Sequence, residues 1–426
     1  MPLHFDFNVL FGYTAAVTQN AYDILKERGF LKQCTNDEAV RAMFEEGPVT
    51  AYVGFDPTAP SVHVGTLVPI MGLMHLQRAG HRPIVVVGGG TGLIGDPSGK
   101  TEQRKLLTRE ILRDNFDGIK AQLGRFLDFK GGKAAAVDNA DWLESLNYVD
   151  FLREIGRHFS VNKMLSFEAY KIRLEKGLSF LEFNYQLCQA YDFLVLFREH
   201  GCRLQMGGDD QWGNIVAGTD LIRRVESAEA FGLTFPLLTT ASGGKMGKTA
   251  AGAVWLDPGT TSPYEYYQYW INVDDRDVER FLKLFTFLPL DEVKRLSRLG
   301  GADIREAKEV LAFEATSVCH GEAAAVSARE GARAAFKGGG DRESMPSTDI
   351  AGGRLKDGIR AVDLFVEIGL CKSRGEATKA FKGGGGWVGN RQLKSHVDTV
   401  GSDDVEGGEM ILRIGKKRRH RIVVVT

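Results

Sequence analysis

A chain of 426 residues, 43% hydrophobic and 26% charged, can bury a sizeable core and is expected to form two to three domains. Its formal net charge of −1 leaves any nucleic-acid contact to local basic patches. No apolar run approaches the roughly 18 residues of a membrane span. The five scattered cysteines never form C-x-x-C, which argues for reduced thiols, no zinc site and a cytoplasmic or equivalent reducing compartment.

Residues 1–20 contain neither Lys nor Arg, so they match neither a secretory leader nor a transit peptide and read as an extension. Residues 21–44 read as helices built around Tyr22, Leu25, Phe30 and Met43. Residues 53–55 read as a strand end. The turn at 56–61 must break it, because Pro57 and Pro60 lack a backbone donor and fix their own φ. From His63 a helix follows, with Leu67, Ile70, Met71 and Met74 at helical spacing, and the β-branched run 84–87 fits a buried parallel strand. This is a βαβ unit whose helix start offers free N–H groups to an anion at the carboxyl edge of a sheet. Gly65 would admit a ring or phosphate close to the backbone, and His63 would supply a donor. The triplet Gly88-Gly89-Gly90 lacks the dinucleotide spacing, and no Walker pattern is present.

Residues 102–129 read as helix and 134–137 as strand, with Asn139 and Trp142 just beyond. A helix over 182–197 sets Tyr185, Gln189 and Asp192 at spacings of four and three on one face, a polar row suited to a small-molecule pocket. In the Gly-rich loop 242–249, Lys245 and Lys248 stand three apart, and two mobile cations beside an anion-binding helix start suggest triphosphate chemistry. Ser262 reads as an N-cap with Pro263 at N1 and Glu265 at N3. Helices run from there to about 333, and the aromatic group Tyr264, Tyr266, Tyr267, Tyr269 and Trp270 reads as their core and their joint with what precedes them. Residues 337–353, rich in Gly, Ser, Asp and Pro, have linker composition. The last 70 or so form a small module, with a helix near 362–368, a second opened by residues 371–379, then Trp387-Val388-Gly389-Asn390. Basic residues from Arg413 to Arg421 lead into an apolar strand; they fit an RNA contact or a solvated face equally.

Six motifs recur in a characteristic order: Tyr52-x-Gly54-Phe55-Asp56-Pro57-Thr58, HVGT at 63–66, TGLIGDP at 91–97, Gln189-Ala190-Tyr191-Asp192, Gln205-x-Gly207-Gly208-x-Asp210-Gln211-Trp212-Gly213-Asn214, and KMGKT at 245–249. Together they resemble the bacterial-type tyrosyl-tRNA synthetases, class I enzymes in which HVGT stands for the HIGH signature and KMGKT for KMSKS. The resemblance implies an α/β fold: a Rossmann-like parallel-sheet catalytic domain with an N-terminal helical extension (1–240), a KMSKS-like loop and linker (241–262), an α-helical anticodon-binding-type domain (263–336), a flexible linker (337–355) and an S4-like α+β RNA-binding domain (356–426).

It further implies a tyrosine–tRNA ligase that makes tyrosyl-adenylate and pyrophosphate from L-tyrosine and ATP, then charges tRNA(Tyr). Thr58, His63, Thr66, Lys245, Lys248, Thr249, Lys100 and Arg104 would act on the phosphates. Tyr52 and Asp192 would meet the substrate phenol, Asp96, Tyr185 and Gln189 its ammonium group, and Gln211 its carboxylate. ATP would lie along Gly54, Asp56, His63, Gly65, Gly208, Asp210 and Lys248, with Mg²⁺ arriving on ATP and no resident metal. The same resemblance implies a homodimer, formed through the helices of 149–200 unless their apolar residues make a monomer core, and no membrane association. Two departures stand out: Val53 where a thiol often follows the tyrosine, and Thr66 where a second histidine is usual. A tryptophanyl-tRNA synthetase shares the class signatures, though the Tyr52 and Asp192 pair and the C-terminal module disfavour it. A non-adenylating RNA-binding paralogue would have less need of both lysines, and an adenylyl transferase acting without tRNA would have no need of that module.

Overall fold

The structure, a computed structural model, describes residues 19–98, 107–241, 243–244, 246–249, 252–337, 345–356, 358–415 and 418–425. The extension before residue 19 and the expected phosphate contacts Lys100, Arg104 and Lys245 lie outside the described residues. Two compact units emerge, 1–261 with 269–321 and 262–268 with 322–426.

The first unit opens with helices α1 (Ala21–Glu27) and α2 (Asp37–Glu46), with strand β1 (Gln33–Cys34) between them. Strand β2 (Thr50–Phe55), helix α3 (Leu67–Arg78) and strand β3 (Arg82–Val87) form the expected βαβ unit, followed by α4 (Arg109–Leu123) and β4 (Ala135–Asp138). Helix α5 (Tyr185–His200), strand β5 (Cys202–Gly208), helix α6 (Trp212–Glu226) and strand β6 (Phe231–Phe235) complete the α/β core. The sheet order is β1-β6-β5-β2-β3-β4, parallel except for the β1–β6 edge. From Pro83 to Val87 every side chain of β3 is buried, which is why the strand reads as a continuous apolar run. The sequence reverses direction between β2 and its neighbours β5 and β3, so the carboxyl ends of β2 and β5 flank a topological switch point, the place where open α/β sheets bind ligands.

In the first unit four expectations change. Strand β1 interrupts the helical reading of 21–44; it is only two residues long and pairs at the sheet edge, too short to leave a period-2 pattern. The helix expected from His63 begins as a 3₁₀ turn, Val64–Thr66, because the His63 ring takes up the Gly65 amide and tightens the entry. The helix expected over 182–197 is two helices, since Ser179 and Glu182 close a capping box that starts the one-turn helix Phe180–Phe183, which ends at Asn184. Finally, helices Val278–Phe285, Leu290–Ser297 and Ile304–His320 belong to the first unit instead of a bundle of their own. The Arg28 guanidinium donates to the carbonyls of Lys283, Thr286 and Leu288, binding the end of that first helix to the N-terminal segment.

The second unit carries a five-stranded sheet whose central strands Gly386–Val388, Glu409–Ile414 and Arg418–Val425 are antiparallel. Phe365, Phe381, Leu412 and Ile422 pack its core with helices Ala361–Glu367 and Arg374–Lys382. The hairpin from Gly386–Val388 to Arg391–Leu393 turns on Gly389-Asn390, with Gly389 at φ +53° as a two-residue hairpin turn favours. Part of the expected linker is ordered structure: Ser347–Ala351 pairs in parallel with residues 421–425, and Gly352–Lys356 is a short helix. Ile350 is that strand's buried residue, and one apolar side chain is too little signal to outweigh a polar composition. Among the described residues no helix is long and apolar enough to cross a membrane.

Candidate active site

A cavity of about 420 Å³ opens at the switch point. Its wall includes Tyr52, Gly54, Asp56, Thr58, His63 and Thr66 from β2 and the turn after it. Asp96, Tyr185, Gln189 and Asp192 line the opposite side, and Gly208, Asp210 and Gln211 follow β5. Thus thirteen residues expected from sequence meet in one space. Gly65 stands just behind, its would-be Cβ 2.7 Å from the His63 ring and 3.2 Å from the Met246 carbonyl, so a side chain there would push these groups apart. At Gly54 the reverse holds: a Cβ would meet no protein atom within 4 Å, so packing does not demand glycine and open space at the wall is kept clear.

The floor is built around Asp192. Its Oδ2 accepts from Asn139 Nδ2 at 2.9 Å and its Oδ1 from Trp142 Nε1 at 2.7 Å. Asn139 also accepts from the amides of Gly90 and Thr91 and donates to Thr91 Oγ1, so one buried amide fixes both the TGLIGDP loop and the carboxylate. Burial pushes the Asp192 carboxyl up to about 7 against the pull of those two bonds, and the charges of Asp56 and Asp138 add to the rise. A carboxylate has about four acceptor positions, so two donors leave it capacity for a ligand hydroxyl. Tyr52 is 2% exposed, and its hydroxyl is buried without a hydrogen-bond partner among the described residues. Burial, then the nearby Asp192 charge, hold its pKa well above the ordinary tyrosine value. An orphaned buried hydroxyl costs stability unless a ligand completes it.

A second polar cluster sits above. Asp96 accepts from the Ser98 amide at 2.8 Å and from Gln211 Nε2 at 2.7 Å. Asn214 Nδ2 donates to Gln189 Oε1 and Gln211 Oε1, both at 3.1 Å, and Tyr185 Oη donates to Asp56 Oδ1 at 3.2 Å. Burial, then the negative charge of Asp56, holds the Asp96 carboxyl above the usual carboxylate range. An ammonium group would relieve this crowding of negative charge.

On the third side the HVGT turn meets the lysine loop. His63 Nδ1 accepts from the Gly65 amide at 3.0 Å, which places the proton of the neutral ring on Nε2. Residues 62–64 run against 254–256, and the His63 ring packs edge-on against Trp255. The backbone of the loop is seated here too: Gly247 donates to Tyr269 Oη and accepts from the Val254 amide. Lys248–Thr249 forms a short strand with Gly252–Ala253, while the side chains of Lys248 and Thr249 lie outside the described residues.

Sequence reading passed over Asn139, Trp142, Asn214 and Ser98 as site residues, and Trp255 altogether. Asn214 lies inside a motif and Ser98 next to one, while Asn139 and Trp142 lie just beyond the strand at 134–137; their bonds join segments fifty or more positions apart, which no local pattern reveals.

A family model described as tRNA synthetases class I (W and Y) matches residues 45–337. A tyrosine–tRNA ligase of Desulfosudis oleivorans is 54% identical over 425 residues, covering 94% of this chain and 98% of that protein. One from Clostridium tetani is 53% identical over 405 residues, covering 95% and 99%. Among solved structures, a C-terminally truncated mitochondrial tyrosyl-tRNA synthetase of Aspergillus nidulans is similar with a TM-score of 0.67 and 30% identity, over 74% of this chain and 94% of that one.

Proposed function

The chain belongs to the class I tRNA synthetases, among the tyrosine–tRNA ligases, and we propose that the cavity at the switch point is where it joins tyrosine to ATP and then to tRNA(Tyr). The enzyme is a ligase that takes ATP as substrate. One observation carries the site assignment: a buried tyrosine hydroxyl without a hydrogen-bond partner among the described residues and a nearby carboxylate with spare acceptor capacity line the same cavity. The phenol of a bound tyrosine completes both. A phenylalanine leaves the buried Tyr52 hydroxyl unpaired and Asp192 with its two protein donors alone, a discrimination for which this enzyme family is a standard example.

With the phenol against Tyr52 and Asp192, the substrate ammonium meets Asp96, Tyr185 and Gln189, and the second Nε2 proton of Gln211, beside the one given to Asp96, serves its carboxylate. That carboxylate attacks the α-phosphorus of ATP: a new P–O bond forms, the bond between the α- and β-phosphates breaks, and pyrophosphate leaves with the electron pair. No side chain forms a covalent intermediate. Catalysis is alignment plus neutralisation of developing charge, with His63 Nε2–H and the lysines of the KMGKT loop directed at the phosphates. Thr58 and Thr66 add hydroxyl contacts; Lys100, Arg104 and Thr249 are proposed for the same side. Gly54, Asp56, Gly65, Gly208 and Asp210 take the nucleoside. The carboxylates at the cavity wall are hard oxygen donors compatible with Mg²⁺ carried in on the phosphates. In the second half-reaction a ribose hydroxyl at the tRNA 3′ end attacks the acyl carbon and AMP leaves.

Self-association is part of this reading. Eight of the twelve exposed large hydrophobics among the described residues fall within 148–181, including Val149 at 67% and Phe180 at 68% exposure, more than a monomer surface would concentrate in one segment. This favours the dimer interface over the monomer core. The second unit is assigned to tRNA binding as an S4-like domain, and the five free thiols suit a reducing cytoplasm. ATP–pyrophosphate exchange driven by each amino acid in turn tests the assignment: tyrosine alone should support it, and exchange driven by tryptophan instead would refute it.

A further inference from the structure

The motif Gln205-x-Gly207-Gly208-x-Asp210-Gln211 leaves position 209 open, and the structure gives that position a definite task. Strand β5 ends at Gly208 and passes into a 3₁₀ turn, Asp209–Gln211, which presents Asp210 and Gln211 to the cavity. Asp209 itself does not line the cavity. Its Oδ1 accepts from Gln33 Nε2 at 2.7 Å and from Thr234 Oγ1 at 2.9 Å. Thr234, fully buried on β6, also accepts at its hydroxyl from the Gln33 amide, and its carbonyl accepts from Lys32. One carboxylate oxygen therefore ties the catalytic turn to β6 and to the short N-terminal edge strand β1.

We propose that Asp209 is a positioning residue for ATP, holding the turn so that Asp210 stands where the nucleoside binds; this rests on the reading of the cavity given above. The two cavity-lining members of the turn stand at different distances from the tie along the chain. Gln211 is fixed independently, donating to Asp96 and accepting from Asn214. Asp210 directly follows Asp209, and Gly208 before it leaves its carboxylate room, since a Cβ there would come within 2.6 Å of its Oδ1. A loosened Asp209 therefore shifts its immediate neighbour Asp210 first, while Gln211 is also held by Asp96 and Asn214. The neutral amide of asparagine retains the one feature the tie uses, an oxygen that accepts from both donors.

Tyrosine-dependent ATP–pyrophosphate exchange by the full-length chain tests this. Asp209→Ala should raise KM for ATP five- to tenfold and leave KM for tyrosine within twofold. Asp209→Asn should restore KM for ATP to within about twofold of the unsubstituted protein. Gln33→Ala, which removes one donor from outside the turn and does not touch the cavity, should raise KM for ATP in the same direction and keeps the test open if Asp209→Ala folds poorly. Equal increases in both KM values, an Asn variant as impaired as the Ala variant, or a Gln33→Ala variant with unchanged KM for ATP would overturn the proposal. Absence of tyrosine-driven exchange in the unsubstituted protein would instead refute the reading of the cavity itself.

Discussion

At the scale of single residues, the chemistry of the cavity turns on the proton and the neighbours of Asp192. Tyr52 and Asp192 belong to quoted motifs, and both line the cavity. That Asp192 is held by Asn139 and Trp142 depends on β4 ending beside α5, which no local pattern encodes. Its environment yields a pH prediction. With its carboxyl raised to about 7, the free enzyme must lose that proton before Asp192 can accept from the substrate phenol, so kcat/KM for tyrosine should climb from pH 6 to 8 and then level. A pH profile of the exchange reaction checks this, and Asp192→Asn should flatten it. The same shift has a stability consequence of opposite direction: between the ordinary 3.8 and about 7 the folded chain binds more of this proton than the unfolded chain, so this contribution to stability is present below that window and is lost as pH rises through it. Thr66 and His63 separate by chemistry as well. Thr66 makes no side-chain cap to α3 and offers one neutral hydroxyl, so Thr66→Val should cost about 1 kcal/mol in the adenylation transition state. His63→Ala, removing the Nε2–H directed at phosphate charge, should cost about 3 kcal/mol. Pre-steady-state adenylation rates compare them directly, and equal losses would show that Thr66 is a principal contact.

At the scale of elements, the βαβ unit was plain because its strand is buried on both faces and its helix is apolar nearly all round, while β1 and the strand Ser347–Ala351 were missed because edge strands carry little pattern. The seating of the lysine loop on the HVGT turn is likewise an element-scale property, set by backbone. Gly247 has φ +78°, and a Cβ there would lie 2.9 Å from the Gly65 amide nitrogen. Gly247→Ala therefore faces both the left-handed penalty of about 1–2 kcal/mol and a clash with backbone. The expected outcome is adenylation slowed at least tenfold with the melting temperature little changed, measured by single-turnover kinetics and calorimetry; an unaltered rate would show that the observed seating plays no part in the reaction. The apolar segment 148–181 makes a second claim at this scale. Phe180→Asp places a charge on a side chain that is 68% exposed, so it should leave folding intact and shift sedimentation from dimer to monomer at micromolar concentration.

At the scale of the whole molecule, composition predicted two to three domains and the chain forms two compact units, with the division falling within the helix Pro263–Ile271 instead of ahead of it. The aromatic group that suggested a separate helical core is shared out: Trp270 packs on Phe281 and Phe285 of the first unit, a partition that hydrophobic spacing along one helix cannot reveal. The proposed roles of the two units predict that a chain ending at residue 337 still forms tyrosyl-adenylate but no longer charges tRNA(Tyr). Loss of adenylate formation in a folded truncation would contradict that division of labour. Choice of tyrosine as substrate depends on recognition of its phenol by Tyr52 and Asp192 at the cavity wall. The ratio of kcat/KM for tyrosine to that for phenylalanine, measured by pyrophosphate exchange in the unsubstituted enzyme and in Asp192→Ala, tests this most directly. The ratio should strongly favour tyrosine in the former and fall by at least a hundredfold in the latter; a ratio that survives the substitution unchanged would mean that the phenol is recognised elsewhere.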